Sequence, residues 1–88
     1  MKILGLNSFT AKNGDHWLVA SGVQKFNYPE GKKGYENCEH WFRNPDQAVI
    51  DMLQLGASVE VLYRKEGNRT IAFNVVEAED DIDVILSY

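Results

Sequence analysis

The side chains best equipped for chemistry in this sequence are cations set beside flat aromatic rings. Lys25, Phe26, Tyr28, Lys32, Lys33 and Tyr35 interleave in one stretch, Lys12 precedes Asn13-Gly14, and Arg64, Lys65 and Arg69 crowd around Gly67-Asn68. Ammonium and guanidinium groups neutralise phosphates, and aromatic faces stack on bases for roughly 1–3 kcal/mol per base. The pattern therefore predicts contact with a single-stranded nucleic acid. Taken singly, each of these residues is more simply a turn charge or a half-buried strand aromatic, because strands favour aromatics irrespective of any ligand. It is the clustering that carries the expectation.

Other chemistries are poorly supplied. Cys38 and His40, with His16 as a distant third, fall short of the four ligands of a structural zinc site and the three, at recognisable spacing, of a catalytic one. The simpler reading is a packed thiol and a surface histidine, so no metal is expected. Nucleophilic catalysis by Cys38 would need a base in contact with it, and two residues along a strand His40 points the same way but stands too far off. There is no phosphate-binding glycine loop, and no paired-carboxylate pattern more specific than the acidic C-terminal end. The expectation is a protein that is not an enzyme and uses no cofactor.

Charge agrees once its distribution is considered. The net charge is -4, but five of the 13 acids, Glu77, Glu79, Asp80, Asp81 and Asp83, lie together near the end. Residues 1–76 then hold eight acids against nine Lys and Arg, close to neutral and slightly basic. A single cysteine permits no internal disulfide and suits a reducing compartment; with no apolar run long enough to span a bilayer and no signal-peptide pattern, a cytoplasmic location with no membrane partner is expected.

The elements that must position these residues can be read from the pattern. With 88 residues the chain has room for one hydrophobic core. Ile3 to Thr10 and His16 to Phe26 read as strands joined through Asn13-Gly14, the second of them long and bent at Gly22. Residues 27–34, with Pro29, Gly31 and Gly34, read as a loop, and Tyr35 to Phe42 as a polar third strand. Asn44-Pro45-Asp46-Gln47 reads as a helix start, with Asn44 capping and Pro45 in the first position. Ala48, Val49, Met52 and Leu53 supply the apolar face, and Gly56 ends about three turns in a left-handed conformation. Val59 to Val75 then forms a hairpin. A three-residue turn with Asn68 left-handed would set Val59, Val61 and Tyr63 opposite Val75, Phe73 and Ile71, collecting six large residues on one face. Trp17 shares parity with Val19 and is expected in the core. Trp41 and Phe42 are adjacent in a strand, so one faces inward and the other outward.

Three strands, a helix and a closing hairpin form the element order of the OB-fold, a five-stranded Greek-key barrel with its helix between strands 3 and 4. The stretches Asn7 to Gly14, Gly56 to Tyr63 and Arg69 to Val75 are similar to small OB-fold proteins of phages and mobile elements that coat single-stranded DNA. The resemblance implies a non-catalytic single-stranded DNA-binding barrel over residues 1–76, with the basic and aromatic loops lying near one another. Residues 77–88 form an acidic segment with an apolar end, Val84-Ile85-Leu86-Ser87-Tyr88. It resembles the acidic tips through which bacterial single-strand-binding proteins recruit partners, but it lacks their terminal Pro-Phe. So apolar an end either packs on the barrel or meets a second subunit, as a homodimer or a protein-partner contact. The competing expectation is a small phage-type protein-binding module, an inhibitor or adaptor of a host protein. A carbohydrate-binding OB module is a third, supported by aromatics alone.

Overall fold

The computed structural model describes residues 1–25 and 34–78. Phe26, Tyr28, Lys32, Lys33 and the acidic segment from residue 79 onward lie outside the described residues. The fold is mainly β with one short helix: β1 (Lys2–Thr10), β2 (His16–Lys25), β3 (Tyr35–Arg43), α1 (Gln47–Met52), β4 (Val59–Glu66) and β5 (Arg69–Glu77). Strands β1, β2 and β3 form one antiparallel sheet in that order, and β4 and β5 form a second of two strands. No helix among the described residues is long and apolar enough to cross a membrane.

The first hairpin turns where Asn13-Gly14 predicts it. Gly14 takes φ +92°, a left-handed conformation that costs a side-chain-free residue nothing, while the Asn13 side chain accepts from the Asp15 amide at 3.0 Å. Register then sets Thr10 opposite His16 and Phe9 opposite Trp17. At Gly22 the neighbouring chain comes so close that a Cβ would stand 1.9 Å from the Lys2 carbonyl oxygen, and Ala or any larger residue is excluded. The irregularity expected there falls on the partner strand instead, where the register shifts between Ile3 and Gly5.

Four hydrogen bonds tie the start of β1 to the chain entering β4. The Met1 ammonium donates to the Val59 carbonyl at 2.8 Å, and the amides of Ile3, Gly56 and Val59 donate to the carbonyls of Ala57, Ile3 and Met1 at 2.8–2.9 Å. On the other side β3 lies beside β5, although no ladder joins them among the described residues. Ile3, Ala20, Phe42, Val49, Leu53, Val59, Ala72 and Val75 fill the space so enclosed. Each large side chain fully buried contributes about 1.5–3 kcal/mol, so the six large ones among these eight supply the main favourable term of a domain this small.

The helix departs from its sequence signals. Asn44 does not cap it. Its backbone is left-handed, φ 47°, its side chain accepts from the His16 amide at 2.8 Å and donates to Asp15 at 3.1 Å, and so it pins the end of β3 to the first turn. The helix starts two residues later than expected. Asp46 is the N-cap but makes no side-chain capping bond, Pro45 precedes the helix, and Gln47 spends its amide on Asp51 at 2.7 Å. Six residues give fewer than two turns rather than three. Leu53 closes the helix, and the left-handed Gly56, φ 85°, instead directs the chain toward its bonds with Ile3. Val49 and Leu53 reach the core, while Ala48 faces outward.

The closing hairpin is corrected in turn and register. Glu66 pairs with Arg69 across two residues, and Gly67, not Asn68, takes positive φ, +61°, as a two-residue turn with Gly in its first position requires. Phe73 is the extra residue of a bulge: Leu62 faces Asn74 while Tyr63 faces Ala72, which brings Val61 opposite Val75 and Val59 opposite Glu77. The two-residue turn thus splits the expected six-residue face, setting Ile71 opposite Arg64, and beyond the bulge only Val61 and Val75 regain an apolar pairing. Val59, Ala72 and Val75 are buried, whereas Tyr63 and Phe73 are exposed.

Candidate nucleic-acid interface

Alternation along each strand assigns the two faces of the three-stranded sheet. Phe42 turns into the core and is 2% exposed; Trp41, its neighbour, turns outward and is 48% exposed. Phe9, paired with Trp17, stands on the same outer face, as does Val19, paired with Trp41. The three rings meet edge to face: Phe9 and Trp41 centroids are 5.8 Å apart at 79°, Trp17 and Trp41 6.0 Å apart at 72°. Such contacts hold one another in place, each for about 0.5–1.5 kcal/mol beyond area burial. Val19 is buried on this face, away from the main core. Trp17 is thus only partly buried and belongs to an outward aromatic cluster, not to the core.

The tip of the closing hairpin stands next to this cluster. A cleft of about 500 Å³ opens between the two sheets, its walls including Trp17, Trp41, Tyr63, Arg43, Arg69 and Glu39. Tyr63 is held by a hydrogen bond to His40 Nδ1, and the two rings lie 5.7 Å apart. The Trp41 indole N–H donates to a Glu39 carboxylate oxygen at 2.5 Å, fixing the ring that forms the floor. Arg43 pairs with Glu66 at 3.5 Å, and Arg64 pairs with the same carboxylate at 3.0 Å while lying 5.5 Å over the Phe73 ring. Among the described residues no carboxylate lies within ion-pair distance of Arg69.

The expected site residues are therefore divided. Arg64, Lys65 and Arg69 gather at the hairpin tip, beside the end of the sheet that carries the Lys12 turn. Lys25 and Tyr35 face each other at the other end of β2 and β3. From Trp17 to Lys25 the strand advances eight residues, about 26 Å at 3.3 Å each, so the basic and aromatic loops do not all converge. Phe26, Tyr28, Lys32 and Lys33 lie outside the described residues. Phe9, Trp17, Trp41, Tyr63, Arg43 and Glu39 form the cleft and its margin without having been singled out as binding residues. Parity through the Asn13-Gly14 turn was the available signal, since it pairs Phe9 with Trp17.

The Cys38 and His40 region has no comparable equipment. Among the described residues no three His, Cys, Asp or Glu side chains gather as metal ligands. Burial pushes the Cys38 thiol upward, the amino terminus opposes this and Glu36 adds to it, leaving a thiol with little thiolate character. Burial also pushes His40 below its ordinary value, helped by the positive amino terminus, and it raises Tyr63. Both side chains of the His40–Tyr63 bond are thus held neutral, as a positioning contact for the cleft wall requires. Comparison of the chain with family models, curated proteins and solved structures finds no match.

Proposed function

We propose that this chain is an OB-type module that binds single-stranded nucleic acid without catalysing a reaction on it. The observation that carries the reading is the outward cluster of Phe9, Trp17 and Trp41 beside a hairpin tip bearing Arg69 and Lys65. Core-facing aromatics would be explained by stability alone. Rings left on the solvent side, prearranged edge to face and bordered by cations, offer what a flexible strand needs: π-faces for bases and donors for phosphates. The OB-type assignment rests on the element order, on the bonds between the start of β1 and the entry to β4, and on β3 lying beside β5.

The reading predicts that a mixed-sequence single-stranded oligonucleotide quenches tryptophan fluorescence and that binding weakens steeply with salt. With two or three phosphate contacts from Arg69, Lys65 and Lys12, log affinity falls against log salt with a slope of about −1.4 to −2.1. A duplex of the same sequence should compete poorly, because its bases are already stacked on one another. Unchanged fluorescence and no binding at low salt would reject the proposal and leave a protein-binding module as the better account.

A further inference from the structure

Glu39 is the feature of the cleft that general single-strand binding does not explain. A carboxylate among stacking rings repels phosphates, and a surface built only to hold any strand would do better with a neutral or basic residue there. Instead Glu39 lines the same cleft as Trp17, Trp41 and Arg69, its orientation set by the Trp41 indole N–H at 2.5 Å. One hydrogen bond leaves most of its acceptor capacity unused, since an ionised carboxylate offers about four lone-pair sites and no donor.

Resting on the single-strand reading above, we infer that Glu39 makes this interface base-selective, favouring bases that present an amino group over thymine or uracil. A base stacked on Trp41 brings its hydrogen-bonding edge toward the carboxylate, while the strand's phosphates turn to Arg69. Cytosine N4 and adenine N6 carry amino donors, and guanine offers N1–H beside its N2 amino group, a pair that matches both carboxylate oxygens. Thymine and uracil instead flank their single N3–H with two carbonyl oxygens, whose lone pairs oppose the carboxylate. Carboxylates accept from the cytosine amine in direct readout of duplex DNA for the same reason.

Cytosine and thymine are the cleanest probes, because they have similar ring area and differ at the position that matters, N4 amine against O4 carbonyl. In fluorescence titrations at neutral pH and low salt, short oligo-dC should bind about fivefold or more tighter than oligo-dT of equal length. Glu39→Gln keeps an oxygen for the Trp41 indole but adds a donor, so it should bring the two affinities within about twofold of each other, chiefly by improving oligo-dT. Glu39→Ala should also erase the difference, without that gain. Equal binding of oligo-dC and oligo-dT by the wild-type chain, or a preference that survives in Glu39→Gln, would overturn the inference while leaving single-strand binding intact. Failure of both oligonucleotides to bind the wild-type chain would remove the function reading itself, and the inference with it.

Discussion

Trp41 and Phe42 are neighbours in one strand and have opposite fates, and the contrast extends to the whole sheet. On the inner face Ile3, Ala20 and Phe42 are sealed against α1 and the closing hairpin. On the outer face Phe9, Trp17 and Trp41 pack on each other and leave their surfaces open. A chain this short has little core to spare. That it nevertheless holds both indoles outside the main core is what the proposal of nucleic-acid binding explains, with one face serving stability and the other contact.

The comparison can be broken first on the inner face. Phe42→Ala deletes a fully buried ring and should cost about 3–5 kcal/mol, enough to unfold much of the domain in a urea titration. Trp41→Ala on the outer face should lower oligonucleotide affinity by about 1–3 kcal/mol, roughly 5- to 150-fold, while moving the melting temperature far less. If Trp41→Ala destabilised the fold as much as Phe42→Ala, the two faces would not be separable. Arg69→Ala should weaken binding and flatten the salt dependence by about 0.7 in slope, one phosphate contact, and Tyr35→Ala at the far end should change neither. Glu66 holds Arg43 and Arg64, pairs that are partly exposed and worth little to stability. Glu66→Gln should release both cations and tighten binding about two- to fivefold with an unchanged melt.

The smallest effect concerns the His40–Tyr63 wall between the faces. Because burial lowers the folded pKa of His40, the unfolded state binds more protons once pH falls below about 6.5. The stability associated with neutral His40 is complete above that pH and is lost as pH falls through the lower folded value. His40→Gln should remove this component from the pH dependence of the melting temperature. An identical acid profile for His40→Gln would remove the histidine from this account.

Much of the fold was legible because it rests on local signals. Alternation and the Asn13-Gly14 turn gave β1, β2 and β3 within a residue or so of their ends. The helix and hairpin were less legible because tertiary bonds overrode local preference. Asn44 has the composition of a cap, yet the His16 amide and the Asp15 carboxylate claim its side chain. Gly56 looks like a helix terminator, but closure of β1 against the entry to β4 uses its turn. The hairpin register hinged on one bulged residue, Phe73, which period-two alternation cannot express. For the candidate site, Arg64, Lys65 and Arg69 were legible as a turn cluster. The aromatic face was not, because deciding which of Trp41 and Phe42 points inward needs the position of α1 and the hairpin, which cover only one side of the sheet.

The most direct measurement is a set of backbone and indole N–H chemical shifts recorded while a single-stranded oligonucleotide is added to the isotopically labelled chain. The account predicts that perturbations concentrate at Phe9, Trp17, Trp41, Tyr63 and Arg69, with both indole signals moving in parallel with fluorescence quenching. Perturbations confined to Lys25 and Tyr35 at the far end of the sheet, or none at low salt, would contradict it.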